Sequence, residues 1–137
     1  MFTRVKGKTV VRHLQVTVST VFAEKSLVSW SSGALIAATS STTAASHAGV
    51  LIKAIAATDS DYADARLVAV EVPVEKDVVW EVDVTSGLVA ADKGLFVDLT
   101  DSETVDRSAS TIDALQCVKV LSTTKGHFII NNEATKA

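Results

Sequence analysis

Hydrophobic and polar residues alternate with period two along much of the chain, which is the mark of a half-buried β-strand. Residues 66–74 are the clearest case. Val68, Val70, Val72 and Val74 share one face, with Leu67, Ala69, Glu71 and Pro73 on the other. Proline cannot donate to a strand ladder, so Pro73 predicts a local sheet edge. Residues 78–84 repeat the pattern, with Val78, Trp80, Val82 and Val84 inward and Val79, Glu81 and Asp83 outward. The polar Glu75-Lys76-Asp77 between them reads as a hairpin loop. Residues 15–21 also alternate and predict a strand, and residues 26–30 a short second one; Gly49 then starts an apolar run over 50–57.

Turns punctuate these runs. Residues 91–97 and 123–129 each place a glycine, Gly94 and Gly126, after a polar pair and before a strand. That arrangement suits a turn that needs positive φ, which glycine adopts at no steric cost. Residues 101–110 read as a loop, although Thr104 or Ser110 could cap a short helix near 102–114. Residues 111–121 and 126–131 read as a strand pair. Residues 31–46, rich in Ser, Thr and Ala, lack large side chains and read as a loop. The whole predicts seven to nine short strands in a mostly β fold, a small β-barrel or sandwich. Residues 13–131 are expected to form one β domain, residues 1–12 an extended N-terminal arm, and residues 132–137 a frayed tail.

Composition agrees with this pattern. Of 137 residues, 47 % are hydrophobic and 21 % charged, which excludes a disordered chain. The apolar mass is Ala and Val, and Val and Thr favour strands. The net charge of −3 hides an asymmetry. Residues 1–12 carry Arg4, Lys6, Lys8 and Arg12 with no acid. Residues 59–106 carry thirteen acids against Arg66, Lys76 and Lys93. A basic arm on an acidic body reads as a tail that docks on an acidic partner, with Phe2 as its anchor. The acidic body would repel phosphate, so nucleic acid is not an expected partner. No apolar core follows the N-terminal basic residues and no apolar stretch is long enough to span a bilayer, which predicts a chain made and kept in a cytoplasm unless it is assembled into something.

The chemistry-bearing residues form no catalytic pattern. Gly7-Lys8-Thr9 matches only the end of a phosphate-binding loop. His13, His47 and His127 lack the spacing of a metal site, and solvated or satisfied imidazoles are expected. Asp59, Asp61 and Asp64 resemble part of a calcium loop without its central Gly or distal Glu. Asp98, Asp101 and Glu103 form a second acidic group. Cys117 is the single cysteine, so no internal disulfide forms, and an inert buried thiol is expected. Trp80 lies on a valine face and reads as core. No catalytic, cofactor-binding or metal-binding residues are assigned.

Residues 65–131 resemble the small capsid decoration, or cement, proteins of tailed bacteriophages. The pieces that carry the resemblance are Val82-Asp83-Val84-Thr85, the stretch from Gly94 through Leu95, Phe96, Val97, Asp98, Leu99 and Thr100 to Asp101, then Thr104-Val105-Asp106, Ala109-Ser110-Thr111, and Leu121-Ser122-Thr123-Thr124-Lys125-Gly126-His127-Phe128 with Asn131. The resemblance implies a β-barrel or β-tulip domain on the outside of an icosahedral virion. It also implies a homotrimer that clamps neighbouring major capsid subunits through an N-terminal arm, with no enzymatic activity, cofactor or membrane; the charge asymmetry, not the resemblance, singles out Phe2, Arg4, Lys6, Lys8 and Arg12 as the residues expected to reach the shell. The residue pattern alone leaves other readings open: another virion part, such as a tail-tube or head-completion protein, a small ligand-binding β module, or an enzyme with a non-standard site.

Overall fold

The computed structural model describes residues 1–42, 46–75, 77–85, 87–110 and 112–130. Eleven strands run through them: β1 (Thr3–Lys6), β2 (Thr9–Gln15), β3 (Leu27–Ser31), β4 (Ala34–Ala37), β5 (His47–Leu51), β6 (Leu67–Pro73), β7 (Val79–Val84), β8 (Phe96–Leu99), β9 (Thr104–Asp106), β10 (Leu115–Ser122) and β11 (Lys125–Ile130). Ala90–Asp92 adds one turn of 3-10 helix. The mostly β expectation holds, and the fold contains a closed five-stranded barrel.

The strands form two sheets. One has the order β1-β7-β11-β10-β8-β9, and a parallel pairing of β7 with β9 closes β7 to β11 into the barrel. The other has the order β2-β6-β5-β3-β4. A single parallel bridge, Val16 to Leu35, brings the end of β2 against β4. Numbered within each unit, both orders are first-fifth-fourth-second-third, with the first and third strands parallel at the seam. The same topology therefore occurs twice in tandem. The pairings align the two units residue by residue. Val84, opposite Val105, corresponds to Val16, opposite Leu35. Trp80 opposite Phe128 then corresponds to Arg12 opposite Val70, and Cys117 to Leu51.

The barrel core is built by the inward valines that alternation predicts. Trp80, Val82 and Val84 on β7 and Val78 just before it are buried, with Val97, Leu99, Val105, Leu115, Cys117 and Phe128 around them. Leu27, Ala38 and Val50 from the second unit join this cluster, so the units share an interface. The second unit has its own smaller core of Val16, Val28, Leu35, Ala48, Leu51 and Val70, completed by Phe22 and Ile55 from its loops.

Several expectations are corrected. Residues 1–12 are not a projecting arm. Thr3–Lys6 pairs with β7, Thr9–Gln15 pairs with β6, and Gly7 turns the chain between the two sheets at φ +100. A Cβ on Gly7 would lie 2.7 Å from Val78 Cα. Four basic side chains without an acid suggest a projecting arm, but edge strands also carry charge. The strand expected at 15–21 lies six residues earlier, over Thr9–Gln15, with Val10 and Leu14 half-buried on it. The stretch 31–46 contains the end of β3 and all of β4, joined through Ser32 (φ 50) and Gly33 (φ 83). Two consecutive positive φ values make the tight turn of a two-residue hairpin. Residues 43–45 lie outside the described residues. Glu75 and Asp77 are not in a hairpin: β6 and β7 belong to different sheets, and Lys76 is outside the described residues. Residues 101–110 contain β9 rather than a loop or helix alone. The tail 132–137 also lies outside the described residues.

Pro73 behaves as its lack of an N–H requires. Val74 donates to Lys8 O at 3.1 Å, so the neighbouring position 73 turns its nitrogen away from β2. On that side β5 pairs no further than Glu71.

Candidate functional site

The basic residues of the N-terminal segment are distributed by its two strands. Phe2 is fully buried in the barrel core, so it is no anchor for an outside surface. It shares the inward side of β1 with Arg4, which lies opposite Trp80. The Arg4 guanidinium donates through Nε to Glu71 and through Nη1 to Gly7 O at 3.1 Å. Arg4 thereby ties β1 of the barrel to β6 of the second unit. Lys6, Lys8 and Arg12 are exposed, as are Val5 and Val11. The result is a basic ridge with exposed valines running from β1 through Gly7 onto β2. The first acid in the chain is Glu24.

Beside this ridge is an open cleft of about 570 Å³, lined by His13, Lys53, Ile55, Asp59, Asp61, Arg66 and the β6 residues from Leu67 to Ala69. Two acids of the fragment resembling a calcium loop sit here, held by an arginine. Arg66 pairs with Asp61 and reaches Asp59 at 3.6 Å. The hydrogen bond from Arg66 holds the Asp61 carboxyl below its usual range. Asp59 also accepts the Ala56 N–H at 3.0 Å, which fixes the turn. A carboxylate committed to an arginine and to backbone donors is satisfied as an ion-paired turn. Asp64 does not line the cleft. Among the described residues no three His, Cys, Asp or Glu side chains converge as metal ligands.

The second acidic group is likewise structural. Asp98 is buried, and its Oδ1 accepts the N–H groups of Ile112 (2.9 Å) and Asp113 (2.7 Å). Asp101 accepts the N–H of Glu103 at 2.8 Å. A further pair escaped the sequence reading. Asp92, nearly buried, takes a forked contact from Arg107 at 2.9 and 3.0 Å and accepts the Val89 N–H at 2.9 Å. These bonds hold Asp92 below and Arg107 above their ordinary pKa ranges. Fifteen residues separate the two, so no local spacing signals them.

The three histidines have three different surroundings. His13 is exposed at the cleft. His127 faces Glu81 at 3.4 Å on the barrel exterior. His47 is buried, with Nδ1 at 3.0 Å from Ser29 Oγ, and burial lowers its pKa to about 4. The Cys117 thiol is buried in the barrel wall, and desolvation raises its pKa. That fits an unreactive thiol. Trp80 is core as expected, and no described group accepts a hydrogen bond from its buried N–H. Trp30 is 40 % exposed at the β3–β4 hairpin. No known protein family matches the chain, and a search of curated proteins finds no similar sequence. The candidate site is therefore the surface comprising the β1–β2 ridge and the cleft beside it.

Proposed function

We propose that this chain is a virion structural protein that binds the outer surface of an icosahedral phage capsid and clamps neighbouring major capsid subunits, working as a homotrimer. The observation that carries the reading is the ridge. Lys6, Lys8 and Arg12 stand with exposed Val5 and Val11 on an otherwise acidic body. A basic and apolar strip on a rigid sheet suits docking on an acidic protein surface. The residues that resemble decoration proteins supply β6 and the whole closed barrel. Copies bound to a repeating lattice would gain by avidity what each lacks alone.

The test is light scattering of the purified protein followed by mixing with preformed shells. The reading expects binding to shells and a rise in their thermal stability. A ring or tube formed without shells would favour a tail or connector role, and a monomer indifferent to shells would overturn the proposal. Within the proposal, charge reversal at Lys6, Lys8 and Arg12 should weaken shell binding and flatten its salt dependence. Arg4 is left out because it holds Glu71.

A further inference from the structure

The two units differ at their seams. In the barrel, β7 carries β11 on one edge. The other edge is shared: β9 pairs with Asp83 and Val84, and β1 pairs with Thr3 opposite Glu81 and Lys6 opposite Val79. The short third strand leaves part of the seam open, and β1 fills it, driving Phe2 into the core. In the second unit β2 carries β6 on one edge, and β4 reaches the other edge only at Val16 and Thr17. By the alignment of the units, Val11, Arg12 and His13 correspond to Val79, Trp80 and Glu81. No strand among the described residues occupies the place beside them that β1 occupies in the barrel.

The hydrogen-bond phase leaves this edge ready to pair. Val16 donates to Arg66 O and Val74 to Lys8 O, so even-numbered residues of β2 bond to β6. The N–H and C=O groups of Val11 and His13 then point outward. Val11 is 55 % exposed. An unpaired strand edge is a template for an incoming strand.

Charge selects the occupant. Arg12 takes the position of Trp80 but is exposed, with His13 on the same strand and Lys8 just before it. The acids around this strand are engaged, and in the cleft beside His13, Arg66 holds Asp59 and Asp61. Glu71 holds Arg4 and Thr9, and Glu75 accepts the Lys8 N–H. A second β2 paired antiparallel about Arg12 would set Arg12 against Arg12, which disfavours self-pairing in that register. We infer that the open seam at Val11–His13 is a binding site for an extended acidic segment of a partner protein, added as a strand that pairs with the outward groups of Val11 and His13 and places a carboxylate opposite Arg12. This goes beyond the shell reading and does not depend on it.

The probe is a short synthetic peptide alternating Val with Glu, compared with one alternating Val with Lys. Amide hydrogen exchange followed by NMR is the readout. The glutamate peptide should protect the Val11 and His13 amides and bind more tightly than the lysine peptide, by about two- to five-fold for each cross-strand charge pair. Arg12→Glu should reverse the preference. Val11→Pro removes one outward N–H, which no bond to β6 uses, so the strand tolerates it and peptide binding falls. Near-ultraviolet circular dichroism reports whether that variant keeps its fold. Failure of both peptides to protect Val11 and His13 overturns the inference. So does a charge-blind response, or self-association that the peptide does not compete away.

Discussion

The barrel and the second unit share one topology and differ in how they fill it. The barrel puts Trp80 and Phe128 at its centre, adds Phe2 from β1, and closes through a two-residue ladder. The second unit has Arg12 and Val70 at the corresponding places and closes through one bridge. It recovers apolar volume from its loops, through Phe22 and Ile55. It also buries a polar pair, Ser29 and His47, near its core. The strand order sets where side chains meet, and it tolerates an aromatic or a guanidinium at the same point only because one seam is filled and the other is open.

The largest expected effect tests that equivalence directly. Trp80→Ala should cost about 3–5 kcal/mol, since it empties a fully buried aromatic site. The corresponding change Arg12→Ala removes an exposed side chain and should stay within about 0.5 kcal/mol. Denaturant unfolding of both variants measures the difference. Equal losses would mean that Arg12 is packed as Trp80 is, and that the seam beside it is closed rather than open.

Acid should separate the units next. His47 is neutral in the fold because burial lowers its pKa from 6.5 to about 4. The unfolded chain takes up the proton first, so stability is full above pH 6.5 and falls as the pH drops toward 4. A shift of that size corresponds to roughly 3 kcal/mol. Asp92 loses its contribution at lower pH, below the ordinary carboxylate range, because its folded pKa is depressed. Denaturant midpoints between pH 7 and 4 measure the window. The double variant Ser29→Ala with His47→Leu replaces both buried partners by apolar groups and should flatten it. A parent protein equally stable at pH 7 and pH 4.5 would contradict the role given to His47.

The same contrast explains what was legible beforehand. The barrel strands were readable because Val78, Trp80, Val82 and Val84 alternate against charged neighbours, and a closed barrel buries one face cleanly. The second unit was readable only in β6, where the valines alternate as clearly. Its strands β3 to β5 are short and carry Ala, Ser and Gly, so their inward and outward faces differ little in hydropathy. The Ser32-Gly33 turn was the available signal for β4, and the small residues around it masked that signal. Basic residues 1–12 read as a tail because charge pattern says nothing about sheet pairing. The ridge cations were visible in the sequence. The seam was not, because it depends on where β4 stops relative to β2.

Two glycines give the smallest and sharpest test. Gly126 on β11 corresponds to Val68 on β6, and Gly49 on β5 corresponds to Leu115 on β10. Each unit thus needs a bare backbone where the other carries a full side chain. Gly126 is not there for a positive φ, as its turn-like context predicts. A Cβ on it would meet Leu88 Cδ2 at 2.9 Å, Lys119 O at 3.0 Å and Phe128 Cε2 at 3.1 Å. Two of those atoms belong to side chains that can give slightly. A Cβ on Gly49 would meet Glu71 O at 2.6 Å and Val70 Cγ1 at 2.8 Å, and the first is backbone of the adjoining strand. Overpacking of this kind costs about 1–3 kcal/mol. Gly49→Ala should therefore fall at the upper end and Gly126→Ala at the lower, as read from denaturant midpoints. The reverse order would mean that the β5–β6 pairing yields more easily than the packing of Leu88 and Phe128. The second unit would then be the softer of the two even where it is most tightly paired.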